Sequence, residues 1–140
     1  MSQIRNQSII TLEAANTSMP AYRIVTMMTA LANTIKVWDT STCLMIGASA
    51  EDGSATGFAT PVVIAGTCLL MAGENISTGA LVTAQTATGK AMHAVNDFAA
   101  VTGSTSPFPR SFGVALEGIS TGAYGEVLIM INNILATPTA

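Results

Sequence analysis

A mainly β chain is the fold class that these 140 residues predict: one small barrel or sandwich of about eight to ten short strands, with at most one short helix. Three observations lead there. Apolar runs are brief and alternating, and Gly, Pro, Asn or Asp interrupts them at roughly 8–12-residue spacing. Only one stretch carries a helix start signal. Finally, a seven-residue phrase occurs twice, as Glu74-Asn75-Ile76-Ser77-Thr78-Gly79-Ala80 and as Glu117-Gly118-Ile119-Ser120-Thr121-Gly122-Ala123, matching at six of seven positions. A looser copy runs from Glu51 to Gly57. Each copy lies between two apolar or small-residue runs. It therefore reads as a turn between strands, with Ser and Thr hydroxyls bonding local backbone and Gly79 and Gly122 taking the unusual backbone angles.

The elements follow in order. Residues 2–8 are polar and patternless and read as a mobile arm, and Ser8 to Glu13 is the first strand, so residues 1–13 form an arm plus strand ahead of one β domain over 14–140. Ala14 to Ala21 has loop chemistry. Tyr22 to Met28 alternates with apolar residues on both faces, which predicts a strand covered on two sides. Thr34 to Asp39 is a strand bearing the single Trp, Trp38, as a core or rim anchor. Cys43 to Ser49 places Leu44, Ile46 and Ala48 on one face. Phe58 to Ala65 and Thr67 to Ala72 read as two strands parted at Gly66, with Pro61 marking the first as an edge or bulged strand.

Leu81 to Gln85 and Lys90 to Val95 form a hairpin around Thr86-Ala87-Thr88-Gly89. Asn96 and Asp97 start the one candidate helix, through Val101, and Ser104 to Pro109 is an extended loop. Ser111 to Leu116 puts Phe112, Val114 and Leu116 on one face, while the small residues Ser111, Gly113 and Ala115 let another backbone approach the other. Glu126 to Ile131 is a strand apolar on both sides, ended by Asn132 and Asn133. Ile134 to Pro138 is a short tail.

Only 9% of the residues are charged, against about 25% in ordinary globular domains. A soluble monomer is kept apart from its neighbours by surface charge, so part of this surface is expected to be hidden in copies of itself or in a larger assembly. Net charge is −3 with five Lys and Arg, too few and too scattered for a nucleic-acid footprint or for attraction to anionic lipid. The N-terminus lacks a signal-peptide core. The uncharged stretch Gly53 to Met71 is interrupted by Pro61 and by glycines, which argues against a membrane span. Cys43 and Cys68 read as small buried hydrophobes of a protein made in a reducing cytoplasm.

The strand pattern after residue 60 resembles a known family. Gly79 to Leu81, the hairpin through Lys90 to Val95, the strand Gly113-Val114-Ala115-Leu116-Glu117, Gly122 and the terminal strand Val127 to Ile131 are similar to the small capsid decoration (cement) proteins of tailed bacteriophages. The likeness covers roughly residues 60–131; the first sixty residues carry no matching motif. It implies a small tulip-like β subunit, commonly a homotrimer, on the outer surface of an icosahedral head. There it binds the major capsid protein and stabilises the expanded shell. The N-terminal arm would order on the capsid, making Ile4, Arg5, Ile9, Ile10 and Leu12 candidate contacts, while Glu74, Gly79, Glu117 and Gly122 serve the turns. The family carries no catalytic residue.

Other chemistry is poorly supported. His93, the single histidine, has no Cys, Asp or Glu at ligand spacing. Ser77, Ser111 and Ser120 have no nucleophile-elbow surroundings. Glu51, Glu74 and Glu117 share a position before a turn, so hydrogen bonding to turn amides explains them better than paired catalytic carboxylates. No catalytic residue, metal or cofactor is therefore expected. The alternative to a cement protein is another self-assembling β subunit, of a tail tube, fibre base or surface layer; a ligand-binding barrel or enzyme ranks last.

Overall fold

The computed structural model describes residues 7–15, 19–39, 43–50, 59–94 and 110–133. Nine strands run through them: β1 (Gln7–Ala14), β2 (Ile24–Met27), β3 (Thr34–Val37), β4 (Gly47–Ser49), β5 (Ala59–Met71), β6 (Leu81–Ala84), β7 (Ala91–His93), β8 (Ser111–Ala115) and β9 (Tyr124–Asn132). Every element that lies within the described residues is a strand, and the mainly β expectation holds. Ile4, Arg5, the loose phrase copy at 51–57, the candidate helix at 96–101, the loop at 104–109 and the tail at 134–138 lie outside them.

All nine strands join one sheet in the order β1-β3-β2-β4-β5-β9-β8-β6-β7, and β1 also pairs with β5. The extra pairing closes β1, β3, β2, β4 and the first half of β5 into a five-stranded ring. The second half of β5 continues into the β9-β8-β6-β7 wing. Ring and wing therefore share one strand.

The sharing strand corrects the expectation of two strands parted at Gly66. β5 is continuous over 13 residues. Gly66 does have a positive φ of 88°, but it bends the strand without ending it. Gln7 of β1 stands opposite Gly66, and the next residue, Thr67, already faces Leu128 of β9. A glycine inside a strand redirects it while neighbours on either side keep the ladder intact. The edge reading of Pro61 is not met, because β5 pairs with β1 on one side, Pro61 opposite Thr11, and with β4 on the other, where the Pro61 carbonyl accepts from the Ala50 N–H. The bulged reading is met, since Ser8 faces Ala65 and Ile9 faces Val63, leaving Ile64 as an extra residue in β5.

Two cores result. Val25, Ile35 and Val62, with Ala14 and Met19, bury one face of the ring strands. Ile24, Ala48 and Val63 on the opposite face join Cys68, Leu70, Val82, Phe112 and Val127 in the larger core between ring and wing. Ile24 and Val25 are thus both fully buried in different cores, the two-sided cover expected for β2, although the strand is shorter than the alternation. Trp38 is buried in the larger core and donates its indole N–H to the Cys43 carbonyl at 3.2 Å.

Two face assignments change. β4 holds only three residues; Leu44 is exposed while Met45 is buried. Phe112 and Ala115 both reach the core while Leu116 is exposed. Beside Phe112 the register shifts: the two steps from Ser111 to Gly113 stand opposite three from Asn132 to Ile129, so β9 carries the extra residue. The close approach expected at Gly113 is present: a Cβ there would lie 2.0 Å from the Leu128 carbonyl oxygen.

Candidate interaction surfaces

The two copies of the phrase form a crossover within the wing, one in the β5–β6 connection and the other in the β8–β9 connection. In both copies the Ala N–H closes onto the Ser carbonyl three residues earlier (Ala80 to Ser77, 3.1 Å; Ala123 to Ser120, 2.9 Å), and Gly79 and Gly122 each have φ of 79°. A positive φ at the third turn position is what a type II turn requires. Backbone groups close these turns, so the expected hydroxyl bonding is not what shapes them. Ile76 and Ile119 exchange both of their backbone hydrogen bonds, at 2.8 and 2.9 Å, and are buried. Gly79 N–H donates to Ala115 and Gly122 N–H to Ala72, each at 2.8 Å. These bonds are related by the same 43-residue offset as the two phrases (122 − 79 = 115 − 72 = 43), so the crossover has local two-fold symmetry.

The two glutamates behave differently from the expectation of turn-amide partners. The Glu74 carboxylate accepts from the backbone N–H of His93 in β7 at 2.7 Å and lies 2.9 Å from its Nδ1. Glu117 accepts from the Glu126 N–H in β9 at 2.9 Å. Both reach away from their turns to amides of a neighbouring strand. Asn75 binds the other copy, its Oδ1 accepting from the N–H and hydroxyl of Thr121. These groups hold strands in place, and their carboxylates do not meet as a pair.

Cys43 and Cys68 are not joined as a disulfide. Cys68 is buried as expected, but Cys43 is half-buried and directs its thiol to Asp39 Oδ1 at 3.5 Å. Lys36 Nζ lies 2.7 Å from Asp39 Oδ2; this hydrogen bond lowers the Asp39 pKa and raises that of Lys36. Arg110 donates to the Cys43 carbonyl at 2.9 Å, and burial lowers its pKa. Among the described residues no three His, Cys, Asp or Glu side chains converge as a metal site, and no helix is long and apolar enough to cross a membrane.

Two surfaces stand out instead. The first is β1. It meets β5 from Gln7 to Glu13, but β3 only at Glu13 and Ala14. Glu13 N–H donates toward β3, to Asn33; by alternation the main-chain groups of Ile9 and Thr11 point to the same edge, where no strand stands among the described residues. Ile9 and Ile10 point to opposite faces, yet are 51% and 40% exposed. Leu12 instead packs against the smaller core.

The second surface is on the wing. Leu81 faces Val114, Val114 faces Leu128, and Leu128 faces Thr67, so one row crosses β6, β8, β9 and β5 on the face away from the larger core. Leu81 is 38% exposed, Leu128 36%, Leu116 45% and Met130 59%. β9 was read in sequence as apolar on both sides, and its outer side chains Leu128 and Met130 are exposed. Their alternation was visible in sequence, but the absence of a covering layer among the described residues was not.

The sequence matches no family model and no curated protein. The fold, however, is similar to a solved structure, the head fiber gp8.5 N base of bacteriophage phi29. The TM-score is 0.63 and the identity 20%, over 89% of this chain and 95% of that one.

Proposed function

We propose that this chain is a structural subunit of a phage virion, which binds the outer surface of the icosahedral head as an oligomer and stabilises the expanded shell. The observation that carries this is the shared fold with a phage head fibre base over nearly the full length of both chains. Strand β1, exposed from Gln7 to Thr11 and without charge from Gln7 to Leu12, supports it as the shell-facing element, with Ile9 and Ile10 laid against the major capsid protein, the earlier residues Ile4 and Arg5 extending that contact, and Leu12 anchoring the strand from inside. Low charge and the resemblance to decoration proteins support self-association, as a homotrimer. The chemistry is that of packing and strand pairing; no catalysis, cofactor, nucleic acid or membrane enters it.

The test is co-sedimentation of the purified chain with expanded and unexpanded heads, followed by calorimetry of the particles. Binding to expanded heads and a raised shell melting temperature are expected, and Ile9→Arg should abolish both. No binding to either form would overturn the reading. The same fold similarity favours one second reading, the base of a head fibre: there the chain would occupy the head without changing the shell's melting temperature.

A further inference from the structure

We infer that the outer face of β6, β8 and β9 is the surface through which copies of this chain bind one another, the sheet of one copy stacking on its neighbour. The centre is the row Leu81, Val114 and Leu128, extended along the strands by Leu116 and Met130. Alternation places these side chains on one face: Leu128 and Met130 are two apart in β9, and Leu116, two past Val114 and just beyond the end of β8, still donates its N–H to Glu126 of β9. None is charged. Glu126, two residues from Leu128 on the same face, and Glu117 mark the acidic margin that stays in solvent.

Size favours an interface. Four Leu and Met side chains at these exposures present on the order of 300 Å² of apolar surface, the scale of the functional patches found on soluble proteins. With its surrounding polar rim, that suits the apolar centre of a standard interface of about 800 Å² per partner. A pleated face of this kind packs naturally on a second sheet, roughly 10 Å away.

The occupant is a second copy because the charge deficit belongs to the chain itself. Five Lys and Arg and eight Asp and Glu must keep 140 residues in solution, and the partner present from synthesis onward, before any shell, is another copy. Interfaces between copies are also the more apolar class. The free edge and apolar faces of β1 lie on a different element and remain available to the shell.

This inference rests on the oligomeric part of the function proposed above, and the experiment separates the two. The full chain is examined at 5–100 µM (on the order of that range, where a standard interface is populated) by sedimentation velocity and light scattering, without heads. The expected result is a discrete oligomer for the native chain, and monomers for Leu128→Arg and Met130→Arg with unchanged far-ultraviolet circular dichroism. Ile9→Arg should remain oligomeric while losing head binding. Met130, the more exposed of the two, guards against a folding defect at Leu128. A monomeric native chain, or arginine variants that still associate, would overturn the inference. A native oligomer that fails to bind heads would leave it standing and defeat only the function.

Discussion

Ile76 and Ile119 hold the same place in two copies of one phrase, and they are each other's backbone partners. Each is buried under its own turn, so the pair ties the β5–β6 connection to the β8–β9 connection at one point. Ile76→Ala and Ile119→Ala should each destabilise by about 2–4 kcal/mol, the range for a buried Ile cut to Ala. Because the two sit in one contact, the double variant should depart from additivity by about 0.5 kcal/mol or more. Denaturant unfolding of the three variants measures this. Additive effects, or one variant near neutral, would show that the copies act independently.

Gly79 and Gly122 offer a sharper comparison. Both have φ of 79°, and a Cβ at either would meet nothing within 4 Å. The penalty for a side chain is therefore backbone strain without crowding. Gly79→Ala and Gly122→Ala should cost about 1–2 kcal/mol each, equal within error, with Gly122→Val costing more because of its branched Cβ. Gly113→Ala should be worse than either alanine variant, since its Cβ would lie 2.0 Å from the Leu128 carbonyl oxygen. A thermal melt series ranks all four, and a Gly113→Ala variant as stable as Gly122→Ala would contradict the register of β8 against β9.

What was readable in sequence followed local chemistry. Turn glycines, the β6–β7 hairpin and the alternation of β2 announce themselves within a few residues, because φ preference and side-chain period are local properties. The bulge of β9 opposite Phe112 and the unbroken course of β5 through Gly66 could not be read, because both depend on which strand stands alongside. The same holds for the surfaces. Ile9, Ile10, Leu128 and Met130 are visibly apolar in sequence, but only the pairing order shows that no strand or layer among the described residues covers them. Glu74 and Glu117 were recognised as hydrogen-bonding residues, but their partners on β7 and β9 are non-local.

The Lys36–Asp39 pair makes a pH prediction. The hydrogen bond from Lys36 depresses the Asp39 pKa below 3.8 and raises that of Lys36 above 10.5. The Asp39 contribution is then complete above the ordinary carboxylate range and is lost as pH falls through the lower folded value. The Lys36 contribution is complete below 10.5 and is lost as pH rises through the higher one. Stability from the pair is thus flat through neutral pH and declines at both extremes. With both side chains substantially exposed, it amounts to about 0.5 kcal/mol. Asp39→Asn should shrink the loss between pH 5 and pH 2 in urea titrations (about the interval in which a carboxylate with a lowered pKa protonates). An acid limb identical to that of the native chain would mean that solvent screens the pair completely.

Asn133 makes the last prediction, from the end of β9. Its Oδ1 accepts from the Met45 N–H at 3.0 Å and its Nδ2 donates to the Met45 carbonyl at 2.8 Å, so one side chain substitutes for a strand neighbour. Met45 is buried, and its peptide groups would otherwise lack this pairing. Asn133→Ala removes both bonds at once and should cost about 1–3 kcal/mol, the penalty for stranding buried polar groups. Asn133→Asp keeps the acceptor but turns the donor into a second acceptor facing the Met45 carbonyl. It should therefore be at least as destabilising near neutral pH and recover in acid, where the protonated carboxyl can donate again. That recovery distinguishes the paired amide from a general loss of packing: if Asn133→Ala and Asn133→Asp respond identically to acid, the side chain is not acting as a peptide substitute.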